Sequence, residues 1–160
     1  MNKHEEYLRL AVSASLRSPD DSTKNGAILV SRSGKIVQGC NDSPPRVPLD
    51  PARKVRPEKY HFIEHAERRV IFQAARDGIC TDGASMYCLW YSCPDCARAI
   101  VCAGVREVIG LLALEVLTPA RWRDQVSVGR AILAEAGVRT RLYTEPLGMK
   151  AVFDNAELTI

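Results

Sequence analysis

The chain has 160 residues, of which 46% are hydrophobic and 26% are charged, and it carries a formal net charge of +3. This length predicts one domain spanning residues 1–160 with a single substantial core, and so mild a charge does not indicate a nucleic-acid partner. No apolar run approaches the roughly 20 residues that cross a bilayer, and the polar N-terminus lacks the apolar stretch of a secretory signal, so we expect a cytoplasmic protein with reduced cysteines and no membrane contact.

The first half of the chain predicts a helix, a hairpin and a long loop. Residues 3–17 place apolar side chains at helical spacing. Residues 26–30 and 35–40 form two apolar segments around a Ser-Arg-Ser-Gly turn, which is typical of a β-hairpin. Residues 41–57 contain five prolines and no regular pattern, and so long a loop in a compact domain is usually functional or disordered.

This proline-rich loop is also basic. It carries Arg46, Arg53, Lys54 and Arg56, and Lys59 follows shortly after it. A cluster of cations on a loop is typical of a solvated surface. It is equally consistent with a lid whose cations bind a substrate phosphate, and the residues alone leave both interpretations open.

The second half of the chain alternates helices with strands. The predicted helices cover 65–77, 94–103 and part of 119–136, and the predicted strands cover 85–90, 107–111 and 139–143. A glycine follows each helix, as is common at helix ends. The alternation predicts an α/β sandwich with a mixed sheet, followed by a C-terminal extension over 146–160 that we expect to be helical or irregular.

Two short motifs together supply the side chains of a catalytic zinc site. His65-Ala66-Glu67 and Cys93-Pro94-Asp95-Cys96 contain one imidazole, one carboxylate at the third position and two thiols. A catalytic zinc has three protein ligands and an open position for water, so we predict His65, Cys93 and Cys96 as ligands and Glu67 as the proton carrier. Either motif alone is weak, because C-x-x-C also occurs in redox pairs and structural zinc sites. Together they are closely similar to H-x-E followed by P-C-x-x-C, the signature of zinc-dependent deaminases.

Four segments place these motifs in a wider pattern. Residues 25–30, 39–44, 59–60 and 92–97 follow one another in an order that resembles the deoxycytidylate (dCMP) deaminases of the cytidine deaminase superfamily. The resemblance spans about residues 5–143. It implies a three-layer fold with a mixed five-stranded sheet, Zn²⁺ as the cofactor and a homo-oligomer, either a dimer or a hexamer, in which neighbours complete each other's pockets.

The resemblance and the neighbourhood of the motifs also point to four substrate-binding residues, which are Asn41, Ala66, Tyr91 and Ser92. Arg46 of the basic loop is a further candidate, for the substrate phosphate. Asn41 matches a family asparagine near the substrate sugar and base, although it is also a typical turn residue before prolines. The Ala66 amide is a candidate donor to the base carbonyl. The Ser92 carbonyl, where the family usually has proline, is a candidate acceptor for the substrate amine. Tyr91 and the preceding tryptophan either pack against the ring or belong to the core.

The implied reaction is the hydrolytic removal of an exocyclic amine from a small molecule, with dCMP giving dUMP and ammonia. A free base, a nucleoside or another aminated heterocycle remains an alternative substrate, because Glu64, Arg69 and Ser92 depart from the family pattern. A tRNA adenosine substrate is disfavoured by the mild charge. A non-catalytic zinc-binding regulatory protein is a further alternative. Glu67 argues against it, because a structural zinc site needs no proton carrier and usually closes with a fourth protein ligand.

Overall fold

The computed structural model describes residues 2–160 and is built around a mixed five-stranded sheet. Its strands are β1 (Gly26–Val30), β2 (Ile36–Cys40), β3 (Ser85–Cys88), β4 (Glu107–Leu111) and β5 (Arg139–Tyr143). Their order across the sheet is β2-β1-β3-β4-β5. Strand β1 pairs antiparallel with β2 and β3, whereas β3, β4 and β5 run parallel to one another. The predicted α/β fold with a mixed five-stranded sheet is confirmed.

The helices connect the strands and cover both faces of the sheet. They are α1 (Lys3–Ser15), α2 (Lys59–Phe62), α3 (Ala66–Arg76), α4 (Pro94–Cys102), α5 (Leu112–Glu115) and α6 (Ala120–Glu135), with a 3₁₀ helix at Pro51–Lys54. The four longer helices agree with the predicted ones. The sequence does not predict α2, α5 or the 3₁₀ helix, because four residues make about one turn and show no periodicity.

The sheet separates two hydrophobic cores. Along β1, Ala27 and Leu29 belong to the core shared with α3, α4 and α6, whereas Ile28 and Val30 belong to the core on the α1 side. This division follows from the alternation of side chains along a strand. Because both faces are covered, all five residues of β1 are buried, and the arrangement is the predicted three-layer sandwich.

The C-terminal segment forms a β-hairpin, so the prediction of a helical or irregular extension was wrong. Strands β6 (Lys150–Phe153) and β7 (Ala156–Thr159) pair antiparallel. Asp154 and Asn155 make the two-residue turn between them, with φ of 49° and 68°. Aspartate and asparagine tolerate this conformation better than other non-glycine residues, which is why they favour such hairpins. The hairpin packs on the α1 side of the sheet through Ala151 and Phe153.

Among residues 2–160, the longest helix is α6 with 16 residues, and none of the helices has the length and apolar character needed to cross a bilayer.

Candidate active site

Both predicted metal-binding motifs lie at helix N-termini. His65 is the N-cap residue of α3, and Cys93 is the N-cap residue of α4, with Pro94 in the first turn. Proline is well tolerated there because the first helical N–H groups have no intrahelical acceptor. The positive ends of the two helix dipoles therefore point toward the place where the motifs meet, which favours thiolate over thiol.

The three predicted ligands converge in space. The Nδ1 atom of His65 lies 3.5 Å from the Sγ atoms of both Cys93 and Cys96, and all three atoms lie within 4.8 Å of one another. Zinc bonds of about 2.1 Å to nitrogen and about 2.3 Å to sulfur, meeting at a tetrahedral angle, separate the two ligand atoms by about 3.5 Å. The side chains therefore fit three corners of a tetrahedral zinc site and leave the fourth corner open.

The ionisation of these groups also suits a cation. A hydrogen bond from the Cys96 thiol and the neighbouring His65 lower the pKa of Cys93 to about 4. The same thiol–thiolate contact raises the pKa of Cys96 well above its usual value. Burial lowers the pKa of His65, but its hydrogen bond with Cys93 and the negative charges of Glu67 and Cys93 together outweigh burial and raise that pKa to about 9. A metal ion that binds here replaces the protons that Cys96 and His65 otherwise hold.

Glu67 lies in the first turn of α3 and is only 2% exposed. Its Oε2 atom is buried and has no hydrogen-bond partner among residues 2–160. A buried carboxylate oxygen without a partner is costly, so its retention beside a cavity fits contact with a water molecule or a substrate. Burial raises the pKa of Glu67 above its ordinary value, which brings the carboxylate closer to the pH at which an acid–base group works best.

A cavity of about 380 Å³ is lined by Glu67 and by the predicted ligands His65 and Cys93. Its floor is buried and its mouth is exposed, with α6 closing one side through Trp122, Gln125 and Val126. The buried lining residues are Asp20, Asn41, Lys59, Ile63, Glu67, Tyr91 and Val126, and the exposed ones are Arg56, Tyr60, Asp95 and Gln125. The volume lies in the range of pockets for small molecules.

Of the predicted substrate-binding residues, Asn41 lines this cavity. Its side chain also braces the start of β1, because Oδ1 accepts from the Asn25 amide at 2.8 Å and Nδ2 donates to the Thr23 carbonyl at 2.9 Å. Ala66 is fully buried at the start of α3. Arg46 is exposed and does not belong to the cavity lining, so the basic loop contributes Arg56 instead.

The three residues before Cys93 make contacts with other parts of the fold. The Tyr91 ring packs against Gly110 of β4, and the Arg130 guanidinium lies 4.8 Å from the ring centre. The Ser92 carbonyl oxygen lies against Gly129 of α6, and Ser92 is not part of the cavity lining. Trp90 donates from Nε1 to Thr118 at 2.9 Å. The core interpretation of the two aromatic residues therefore accounts for their packing, although both also border the cavity.

Two charged groups near the site form ion pairs that were not predicted from the sequence. Lys59 is buried in the cavity floor and donates to Asp20 at 2.7 Å. Arg68 of α3 pairs with Glu64 and lies 3.7 Å from Asp95 of α4, which links the two ligand-bearing helices. A helical spacing of four residues signals the Arg68–Glu64 pair, but no local pattern joins Lys59 to Asp20 across 39 positions.

Comparison with known sequences agrees with this geometry. A family model described as the cytidine and deoxycytidylate deaminase zinc-binding region matches residues 1–112. The deoxycytidylate deaminase of Mus musculus is 29% identical over 164 residues, which cover 94% of this chain and 84% of the mouse protein. A probable deoxycytidylate deaminase of Caenorhabditis elegans is 32% identical over 115 residues, which cover 68% of this chain and 56% of that protein.

Comparison with solved structures gives the same result. The dCMP deaminase of the cyanophage S-TIM5, crystallised in complex with dCMP and dUMP, superimposes with a TM-score of 0.67 at 25% identity. The match covers 91% of this chain and 99% of the phage protein. The family match takes in both metal-binding motifs and more than two thirds of the sequence. The chain therefore belongs to the cytidine and deoxycytidylate deaminase family, as its resemblance predicted, and zinc is its cofactor.

Proposed function

We propose that this protein is a zinc-dependent hydrolase that converts dCMP to dUMP and releases ammonia. One observation carries the proposal: the cavity is lined by His65 and Cys93, two members of a three-residue nitrogen and sulfur donor set, and by the buried carboxylate of Glu67, whose Oε2 is unpartnered within residues 2–160. Relatives named deoxycytidylate deaminase, and a structural neighbour that holds dCMP and dUMP, support a nucleotide as the substrate.

The residues of the site have separate roles in this proposal. His65, Cys93 and Cys96 hold the zinc ion, which when bound activates water as a nucleophile at neutral pH. Glu67 takes a proton from the attacking water and passes it to the ring nitrogen. It then takes the proton of the newly added hydroxyl group and passes it to the amine, which leaves as ammonia. Ala66 is the first residue of α3, so its N–H has no intrahelical acceptor and is available to the base carbonyl. Asn41 and Tyr91 border the same space.

Arg56 is the proposed contact for the substrate phosphate. It is exposed at the cavity mouth, whereas Arg46, Arg53 and Lys54 lie outside the cavity lining. A guanidinium binds phosphate well because its planar donors match the oxygen geometry. Of the four loop cations that the lid hypothesis included, we therefore retain only Arg56 as a phosphate contact.

We also propose that the chain forms a homo-oligomer, a dimer or a hexamer. The support for this is a set of exposed apolar side chains on or next to α3, α5 and α6, namely Phe72, Val116, Leu117 and Val128. Such side chains lose unfavourable contact with water when a second subunit covers them.

The substrate proposal is tested by measuring ammonia release from a panel of aminated compounds. The panel contains dCMP, deoxycytidine, cytosine and a diaminopurine, each supplied to the zinc-loaded protein. We expect the largest kcat/KM with dCMP. Equal values for dCMP and deoxycytidine would contradict a nucleotide deaminase, and no ammonia from any compound would favour the non-catalytic alternative.

Replacing Glu67 tests the proposed proton carrier. We expect Glu67→Gln to lower kcat for dCMP by at least about 10²-fold, the size typical of a lost acid–base group, while zinc content stays at one ion per chain. Glu135→Gln removes an exposed carboxylate at the end of α6 and is the matched control. Steady-state ammonia release and elemental analysis measure the two quantities. Full activity in the Glu67 variant would overturn the mechanism.

A further inference from the structure

The turn of the C-terminal hairpin places Asp154 between two arginines at the cavity mouth. Its Oδ1 atom lies 3.6 Å from Nη2 of Arg56 and also pairs with Arg121. The hairpin is fixed to the segment that forms the cavity floor, because the Asp154 amide donates to Thr23 Oγ1 at 3.2 Å and the Asn155 amide donates to the Ser22 carbonyl at 2.7 Å. The carboxylate therefore has a defined position relative to the cavity.

The charges that line the cavity leave Arg56 with the excess positive charge. Lys59 is neutralised by Asp20 at 2.7 Å. Arg68 is neutralised by Glu64, with Asp95 close by. Arg56 instead shares one carboxylate with Arg121, so two guanidinium groups face a single negative charge. This corner of the mouth is suited to a second anion.

The orientation of the Arg56 guanidinium is set by two neighbours. Its Nε donates to the Tyr60 hydroxyl at 2.9 Å, and its Nη2 faces Asp154. In the part of the chain that the structure describes, its Nη1 has no hydrogen-bond partner. Fixing one side of a planar fork leaves the other donors aligned for an incoming oxyanion, which lowers the entropy lost on binding.

We propose that Asp154 is a positioning residue, which holds Arg56 in the orientation that binds the phosphate of a nucleotide. The proposal rests on the proposed function only in taking a nucleotide as the substrate. It gives the C-terminal hairpin a role in substrate choice, although the hairpin lies outside residues 1–112, the range of the family match.

Isothermal titration calorimetry of the zinc-loaded protein with dUMP and with deoxyuridine tests this role. These two ligands differ only in the phosphate and are not consumed. For Arg56→Gln we expect about a tenfold loss of dUMP affinity, the size of a hydrogen bond to a charged group. For Asp154→Asn we expect roughly a three- to fivefold loss, as for an exposed charge pair. Deoxyuridine affinity stays unchanged in both variants, and KM for dCMP rises while kcat is kept.

The Asp154→Asn variant keeps the hairpin turn, because asparagine tolerates positive φ as well as aspartate does. Glu157→Gln is the matched control, since it removes an exposed charge from the same hairpin, where Glu157 pairs with Lys150. Unchanged or tighter dUMP binding in the Asp154 variant would overturn the proposal, and so would an equal loss of deoxyuridine binding. A wild-type protein that does not distinguish the two ligands also overturns it. If dUMP binding weakens in the Asp154 variant as expected, yet the wild type releases no ammonia from dCMP, the proposed reaction fails and the positioning role stands.

Discussion

At the residue scale, Lys59 illustrates how the cavity floor is held together. The residue is 5% exposed, and its ammonium donates to Asp20 at 2.7 Å and to Ser22 at 2.6 Å. Burial alone would raise the pKa of Asp20, but its hydrogen bonds with Lys59 and Ser22 outweigh burial and lower it. Because the folded pKa lies below the unfolded one, the pair contributes its full stability above the usual aspartate pKa. That contribution is lost as the pH falls through the folded pKa.

Removing the Asp20 charge should therefore destabilise the fold in a pH-dependent way. We expect Asp20→Asn to cost about 3–5 kcal/mol at pH 7, because it leaves a buried ammonium without its counter-charge. The cost should shrink as the pH is lowered below the usual aspartate pKa. Urea unfolding at several pH values measures this, with Asp21→Asn as an exposed neighbouring control. A loss of stability that does not depend on pH would contradict the assigned ion pair.

The metal-binding residues could be predicted from the sequence, but the sequence could not show which cation of the basic loop lines the cavity. His65, Cys93 and Cys96 were predicted from their spacing because a catalytic zinc site needs three nitrogen or sulfur donors of this kind. In the basic loop, by contrast, four cations looked equivalent. Arg53 is held by the Pro48 carbonyl at 2.8 Å and stacks on Phe62, so its side chain is committed to the loop, which no local pattern reveals.

At the scale of the element, helix α6 approaches the metal-binding loop closely at one position. A Cβ atom built on Gly129 would lie 2.2 Å from the Ser92 carbonyl oxygen and 3.3 Å from the Cys93 carbonyl carbon. Glycine is thus needed for the helix to lie against the residues that carry the first thiol. The period of α6 could be read from the sequence, but its contact with a loop more than 30 residues earlier could not.

We expect a substitution of Gly129 by alanine to lower stability, although helix propensity alone would predict an increase. In an exposed helix, glycine to alanine stabilises by about 1 kcal/mol, whereas we expect Gly129→Ala to destabilise by about 1–3 kcal/mol because the added methyl group forces the helix or the loop to move. Zinc affinity should fall with it, since Cys93 moves with Ser92. Thermal unfolding and a competitive zinc titration measure both, and Ser127→Ala on the exposed face of α6 is the control. A stabilised variant with normal zinc affinity would disprove the close contact.

At the scale of the whole molecule, the sequence predicted the central sheet but not the C-terminal hairpin. Alternating helices and strands favour parallel pairing in the second half, and the structure has it for β3, β4 and β5. The C-terminal hairpin was missed because its strands have four residues each and its turn contains no glycine. Such short strands acquire their structure from the core they cover rather than from their own pattern.

We expect the fold to persist without its metal, because hydrophobic cores lie on both faces of the sheet. We expect a chelator to abolish ammonia release. The melting temperature should fall, because the free energy with which zinc binding stabilises the folded state is lost. The far-ultraviolet circular dichroism should remain that of the folded protein. Adding zinc back should restore both properties. Small zinc domains without such cores unfold when their metal is removed. Unfolding on chelation at 25 °C would show that the hydrophobic cores do not suffice.

The closure of the cavity by α6, which follows residue 112, has a consequence for how such proteins diversify. The three residues positioned to bind the metal, together with Glu67, lie in the first 112 residues, whereas Trp122, Gln125 and Val126 shape the opposing wall. The metal centre and one wall of the cavity are therefore encoded in successive portions of the gene. We expect exchange of the second portion between relatives to change the shape of this wall and to leave the metal-binding residues in place.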